Sequence, residues 1–83
     1  KDWRVRYRAA EILGMIKGEE AVIPLIMALS DEKDHVRYMA AKSLCLIREP
    51  KAIEPLMICL CDENHYVRRM AERAISTIEK KNS

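Results

Sequence analysis

Eighty-three residues with 15 basic and 13 acidic side chains, a net charge of +2, two Gly, three Pro and no Phe leave room for one small domain. Nearly half the residues are apolar and a third are charged, which suits packed helices and excludes disorder, collagen and a disulfide scaffold. The charge is too small to point to a partner by itself, and the longest apolar run, Ala21–Leu29, is too short to cross a bilayer.

Along the chain, helical patterns are expected near 3–17, 20–30, 34–48, 51–61 and 65–80. In the first, Val5, Ala9, Ile12, Leu13 and Ile16 follow the 3.6-residue period and form one apolar stripe. Asp2 is its expected N-cap, Asn64 that of the last helix, and Asp31 or Asp34 that of the middle one. The second pattern sets Ala21, Val22, Leu25, Ala28 and Leu29 on one side, and its counterpart follows at 51–61. Pro24 and Pro55 fall in the first turns of these helices, where a missing N–H costs least. Lys17-Gly18 and Glu49-Pro50 break the paired helices apart.

These elements repeat at an offset of 31. Val5-Arg6, Val36-Arg37 and Val67-Arg68 align, as do Ala9, Ala40 and Ala71. Leu13, Leu44 and Ile75 align too, and so do Ile16, Ile47 and Ile78. In the second half of the unit Pro24 pairs with Pro55, Leu25 with Leu56, Leu29 with Leu60, and Asp31-Glu32 with Asp62-Glu63. The chain is therefore one repeat domain over 1–83, with units 2–32, 33–63 and a partial 64–83. One unit cannot bury its stripe alone, so neighbours stack. Gly14, Cys45 and Ser76 share a small-residue position that allows close helix approach. The expected fold is all-α: a short right-handed α-solenoid of antiparallel helix pairs.

The unit V-R-x-x-A-A-x-x-L-g-x-I … A-[VI]-x-P-L-[IM]-x-x-L-x-D-E resembles the HEAT-like repeat of phycobilisome lyases, over essentially the whole chain. The resemblance implies a scaffold whose second-type helices line a concave binding surface, and it implies no enzyme. It leaves open two other uses: an accessory repeat domain of an enzyme such as a bilin lyase, or a nucleic-acid-binding module.

Arg6, Arg37 and Arg68 recur beside the stripe and are expected to form a structural ladder with Asp31 and Asp62. Cys59 and Cys61 sit about 200° apart on a helix and cannot share an ion, so no metal and no cofactor is expected. His35 and His65 have no recurring Ser, Cys or carboxylate beside them that would build a triad, and no catalysis is expected. Nucleic acid would use the basic first-type helices, with Arg4, Arg8, Lys42, Arg69, Arg73, Lys80 and Lys81 as candidates. Trp3, Tyr7, Tyr38 and Tyr66 are expected to pack at inter-repeat seams or cover an end of the stack.

The favoured reading is a protein or peptide partner on the second-type helices. Ile23, Met27 and Ser30 share a narrow stripe facing away from the buried set, and Glu54, Ile58 and Cys61 repeat it. Apolar residues at a usually polar stripe mark a groove, with Glu20, Lys51 and Glu54 as its rim. The odd number of cysteines predicts a reducing, cytoplasmic setting. A first residue Lys and the absence of a signal-like segment suggest an excerpt of a longer protein, and open repeat ends would favour self-association.

Overall fold

The computed structural model describes residues 2–81, with the Lys81 side chain outside the described set. Five α-helices run in order: α1 (Trp3–Ile16), α2 (Val22–Ala28), α3 (Asp34–Ile47), α4 (Ile53–Ile58) and α5 (His65–Lys81). Helices α1, α3 and α5 form one layer, and α2 and α4 pack on it, α2 chiefly against α3 and α4 against α5. The described residues form a short all-α solenoid. None of its helices is long and apolar enough to cross a membrane.

The expected second-type helices are shorter than their apolar patterns. Glu19–Ala21, Pro50–Ala52 and Cys59–Cys61 are single 3₁₀ turns, so 20–30 and 51–61 are each only partly α-helical. Pro24 and Pro55 lie in the first turns of α2 and α4, and the tighter turns before them lead the chain in.

Caps follow the repeat with one exception. Asp2 accepts from the Arg4 backbone N–H at 3.0 Å, and Asn64 Oδ1 accepts from those of Tyr66 and Val67 at 2.8 and 3.1 Å. Neither Asp31 nor Asp34 is the N-cap of α3: that position is Lys33, which gives no side-chain cap, while Asp34 begins the first turn. An acidic first turn complements the helix dipole without capping it. At the other end Lys17 and Arg48, 31 residues apart, close α1 and α3 in the left-handed region, with φ of 59° and 62°. Gly18, at φ −80°, does not supply that turn.

The core runs through the middle of the stack: Leu25, Leu44, Leu56 and Ile78 are fully buried, with Val36, Val67 and a run of alanines. The α1 stripe is where the expectation fails. Val5, Ala9, Ile12 and Ile16 are exposed and Leu13 is half-buried, whereas Val36, Ala40, Val67 and Ala71 are buried. In α3 and α5 that face lies under the preceding repeat; no repeat precedes α1 among the described residues, and its stripe is exposed there. The helix instead buries Ala10 and Gly14 against α3, where Ser43 Oγ donates to the Ala10 carbonyl at 2.7 Å. Ser76, the third member of the small-residue position, is exposed because no helix follows it among the described residues.

Candidate functional site

The Arg–Asp ladder sits at the turns that join one repeat to the next. Arg6 holds Asp31 through Nε at 2.7 Å and Nη2 at 3.0 Å, and Arg37 holds Asp62 in the same two-point way at 2.8 and 3.0 Å. Arg37 Nη1 also donates to the carbonyls of Asp31 and Glu32, at 2.8 and 3.2 Å. One guanidinium therefore fastens the end of its own repeat and the end of the one before. Among the described residues Arg68 makes only the second kind of contact, donating to the Asp62 carbonyl at 2.7 Å. Asp31 Oδ1 and Asp62 Oδ1 further accept from the backbone N–H groups of Lys33 and Asn64, both at 2.9 Å.

Electrostatics follow from these contacts. The hydrogen bond from Arg6 holds the Asp31 carboxyl below its ordinary pKa, against the opposing effect of burial. For Asp62, burial pushes upward, but Arg37, the Asn64 N–H and nearby positive charge outweigh it, so its pKa is also lowered. Both carboxylates stay ionised, as a fork-to-fork pairing needs.

The stripe on the second-type helices points outward. Ile23, Met27 and Ile58 are 56%, 70% and 77% exposed, and Cys61, Ser30, Glu20, Lys51 and Glu54 are exposed with them. Behind them Ala21, Val22, Leu25, Leu29, Ala52, Leu56 and Cys59 are buried. A cleft of about 350 Å³ lies between α2 and α4, walled by Ser30, Glu54 and Ile58 with Ile26, Leu29 and Pro55. It draws Glu54 and Ile58 together, while Ile23, Met27, Cys61, Glu20 and Lys51 lie outside its lining. Met57 and Leu60 are also exposed on the second-type element and were not anticipated. Leu60 departs from its partner Leu29, which is buried, because Leu60 lies in the 3₁₀ turn that ends the second-type element. The 31-residue alignment equates the two and carries no sign of that change of pitch.

Among the cysteines, Cys59 is buried, Cys45 half-buried and Cys61 exposed. Burial pushes the Cys59 thiol up, assisted by the Asp62 charge. No three His, Cys, Asp or Glu side chains gather to metal-binding distance among the described residues.

The aromatic residues separate. Trp3 packs at a tilt of 44° on His35 of the next repeat, with centroids 4.8 Å apart, and meets Tyr7 edge-on at 6.3 Å, with Lys33 Nζ over its ring at 4.7 Å. It packs at a seam, as anticipated, and Tyr7 and Tyr38 are half-buried. Tyr66 instead stands exposed. The basic residues Arg4, Arg8, Lys42, Arg69 and Arg73 are exposed on the other layer, and Arg4 and Arg8 are paired with Asp2 and Glu11.

Stacked helix pairs, a recurring arginine that staples successive turns and a core continuous through the repeats define a helical-repeat protein. The chain matches the model of the HEAT repeats family over residues 1–80 and belongs to that family. Comparison with curated proteins gives no match.

Proposed function

We propose that the chain is a non-catalytic interaction module that captures a protein partner on the outer face of α2 and α4. HEAT repeats are commonly interaction scaffolds, and that general role is the frame for this reading. The observation that carries it is the cleft of about 350 Å³ between α2 and α4, lined by the exposed Ile58 and by Ile26, with Ile23 and Met27 exposed elsewhere on α2. An apolar cleft on a face that also exposes further apolar side chains suits an anchor side chain of a partner.

The occupant is an amphipathic helix with one apolar stripe and a basic flank. Its stripe supplies an anchor for the cleft, its basic residues meet Glu20 and Glu54, and Lys51 fixes orientation by rejecting the reverse arrangement. Met27 and Met57 suit the task because an unbranched thioether adapts to the shape of a partner. We place the unit nearest the phycobilisome-lyase type of repeat on its V-R-x-x-A-A pattern, an assignment that bears on architecture alone. Three free thiols suit a cytoplasmic setting.

The test is the Met27→Glu, Ile58→Glu double variant, read by circular dichroism and by capture of an amphipathic helical peptide with a basic flank. Folding should be retained and capture lost. A folded variant that still captures the peptide overturns the proposal, and an unfolded one overturns the assignment of the exposed face.

A further inference from the structure

Residues that hold a repeat array together recur at each step, so positions where one repeat departs from the others are places to look for another task. Helix α5 departs from the shared tyrosine on its outer face and carries an arginine at a variable position one turn on. Arg69 stands where the earlier repeats have Tyr7 and Tyr38, and Arg73 where they have Glu11 and Lys42. Both arginines are exposed and lie one turn apart. Neither makes a hydrogen bond or ion pair among the described residues, whereas Arg4, Arg6, Arg8 and Arg37 all meet carboxylates.

These two cations line a cavity of about 480 Å³ together with His65, the carboxylate of Glu72 and the rings of Tyr38 and Tyr66. The same two tyrosines wall a second hollow of about 250 Å³, which also takes in Tyr7 and Asp34. The hollows thus share a pair of aromatic rings, with two arginines and one carboxylate, Glu72, on one side and the Asp34 carboxylate on the other. His65 braces the exposed Tyr66 ring edge-on, with centroids 5.5 Å apart and planes at 70°. Asp34 is fixed on both oxygens: His35 Nδ1 lies 2.8 Å from Oδ1, and Asn64 Nδ2 donates to Oδ2 at 2.8 Å. Each oxygen keeps a further lone pair for an incoming donor.

We infer that this groove binds single-stranded nucleic acid, with a base stacked on Tyr66, the adjoining phosphate held by Arg69 and Arg73, and Asp34 accepting from an amino group of a base. An open aromatic face beside unpaired arginines is the combination that single strands use, since every base has a π-face and every linkage a charge. A phosphopeptide would engage the arginines, yet it would leave the exposed ring and the Asp34 carboxylate without a role. A duplex keeps its bases stacked and offers the ring none. This site lies on the layer opposite the proposed partner cleft and stands independently of it.

The test is fluorescence anisotropy of the 83-residue chain with labelled single-stranded deoxyadenosine and thymidine oligonucleotides of about eight residues, a length within the usual site size. Binding should weaken with salt at a log–log slope of about −1.4, for two phosphates on a single strand. An Arg69→Gln, Arg73→Gln variant should bind roughly tenfold more weakly or worse, and so should Tyr66→Ala and Tyr66→Leu, which remove the π-face. The oligonucleotide bearing amino groups should bind tighter, and Asp34→Asn should reduce that preference because the amide presents one acceptor oxygen where the carboxylate presents two. Normal binding by both Tyr66 variants would reduce the site to a basic surface and overturn the inference. Binding of a phosphotyrosyl peptide in place of the oligonucleotides, or of neither probe, would overturn it as well.

Discussion

Arg37 is the residue on which two repeats converge. Its three nitrogen donors reach one carboxylate and two carbonyls, and it is almost wholly buried among them. Alanine there leaves Asp62 partly buried without its cation and two turn carbonyls without a donor. Arg37→Ala should therefore lower stability by about 1–3 kcal/mol in chemical denaturation. Arg37→Lys should recover only part of that loss, because an ammonium cannot reproduce the two-point fork. The acid limb of stability follows from the same contacts. Asp31 and Asp62 have folded pKa values below those of the unfolded chain, so their contribution is full above the ordinary carboxylate value of about 3.9 and fades as pH falls through the folded values. Melting temperature should accordingly fall on acidification below about pH 4, and Arg37→Ala should flatten that fall. A melting curve equally steep in both proteins would dissociate the ladder from the acid response. The thiols offer a separate check: Cys61 should react first with a thiol reagent in the folded chain and Cys59 last, as its burial and raised pKa require.

At the scale of helices, the tightest meeting is between α1 and α3. A Cβ built on Gly14 would lie 2.6 Å from Ser43 Cβ and 3.0 Å from Ser43 Cα. Gly→Ala inside a helix ordinarily stabilises by about 0.5–1 kcal/mol, but here the new methyl meets a Cβ and a backbone atom that cannot swing aside. Gly14→Ala should thus destabilise, by about 1–3 kcal/mol, as overpacking does. Gly18→Ala is the control, since its nearest neighbour is the mobile Glu20 carboxylate and its φ is ordinary. Thermal melts of the two variants should move in different degrees, with Gly14→Ala clearly lower. The 31-residue offset made the small position at Gly14 visible, because the period places it toward the next repeat. It did not reveal that Ser43, the counterpart of Ile12, would be the residue meeting it. Helix types and the two outer N-caps were legible because period and capping chemistry are local. The 3₁₀ turns flanking α2 and α4 were not, since apolar spacing alone does not distinguish a turn of three residues from one of 3.6. The outward set Ile23, Met27, Ile58 and Cys61 was legible from helical angles. The cleft between α2 and α4 was not, because it depends on how two helices sit relative to each other.

On the scale of the whole array, residues that are identical in the repeat are unequal in place. Val5, Val36 and Val67 occupy one position of the unit, yet they are 64%, 1% and 0% exposed. The periodic pattern predicts equal burial for all three; stacking order decides otherwise, since each first-type helix is covered on this side by the repeat before it. The opposite end differs in chemistry, with Glu72 and Ser76 on α5 where α1 and α3 have Ala10 and Ala41, Gly14 and Cys45. A polar end face matches the apolar α1 face poorly, so head-to-tail stacking of two copies of the described residues is disfavoured. Truncation of the valines one at a time measures this asymmetry. Val36→Ala and Val67→Ala each remove two methyl groups from a packed interior and should cost about 1–3 kcal/mol, while Val5→Ala should change stability by less than about 0.5 kcal/mol. If Val5→Ala proves as costly as the other two in denaturant unfolding at low protein concentration, then Val5 is covered in solution. If its cost appears only as concentration rises, the apolar face of α1 is being buried by another copy of the chain, and the midpoint of unfolding will shift with concentration in the parent protein too.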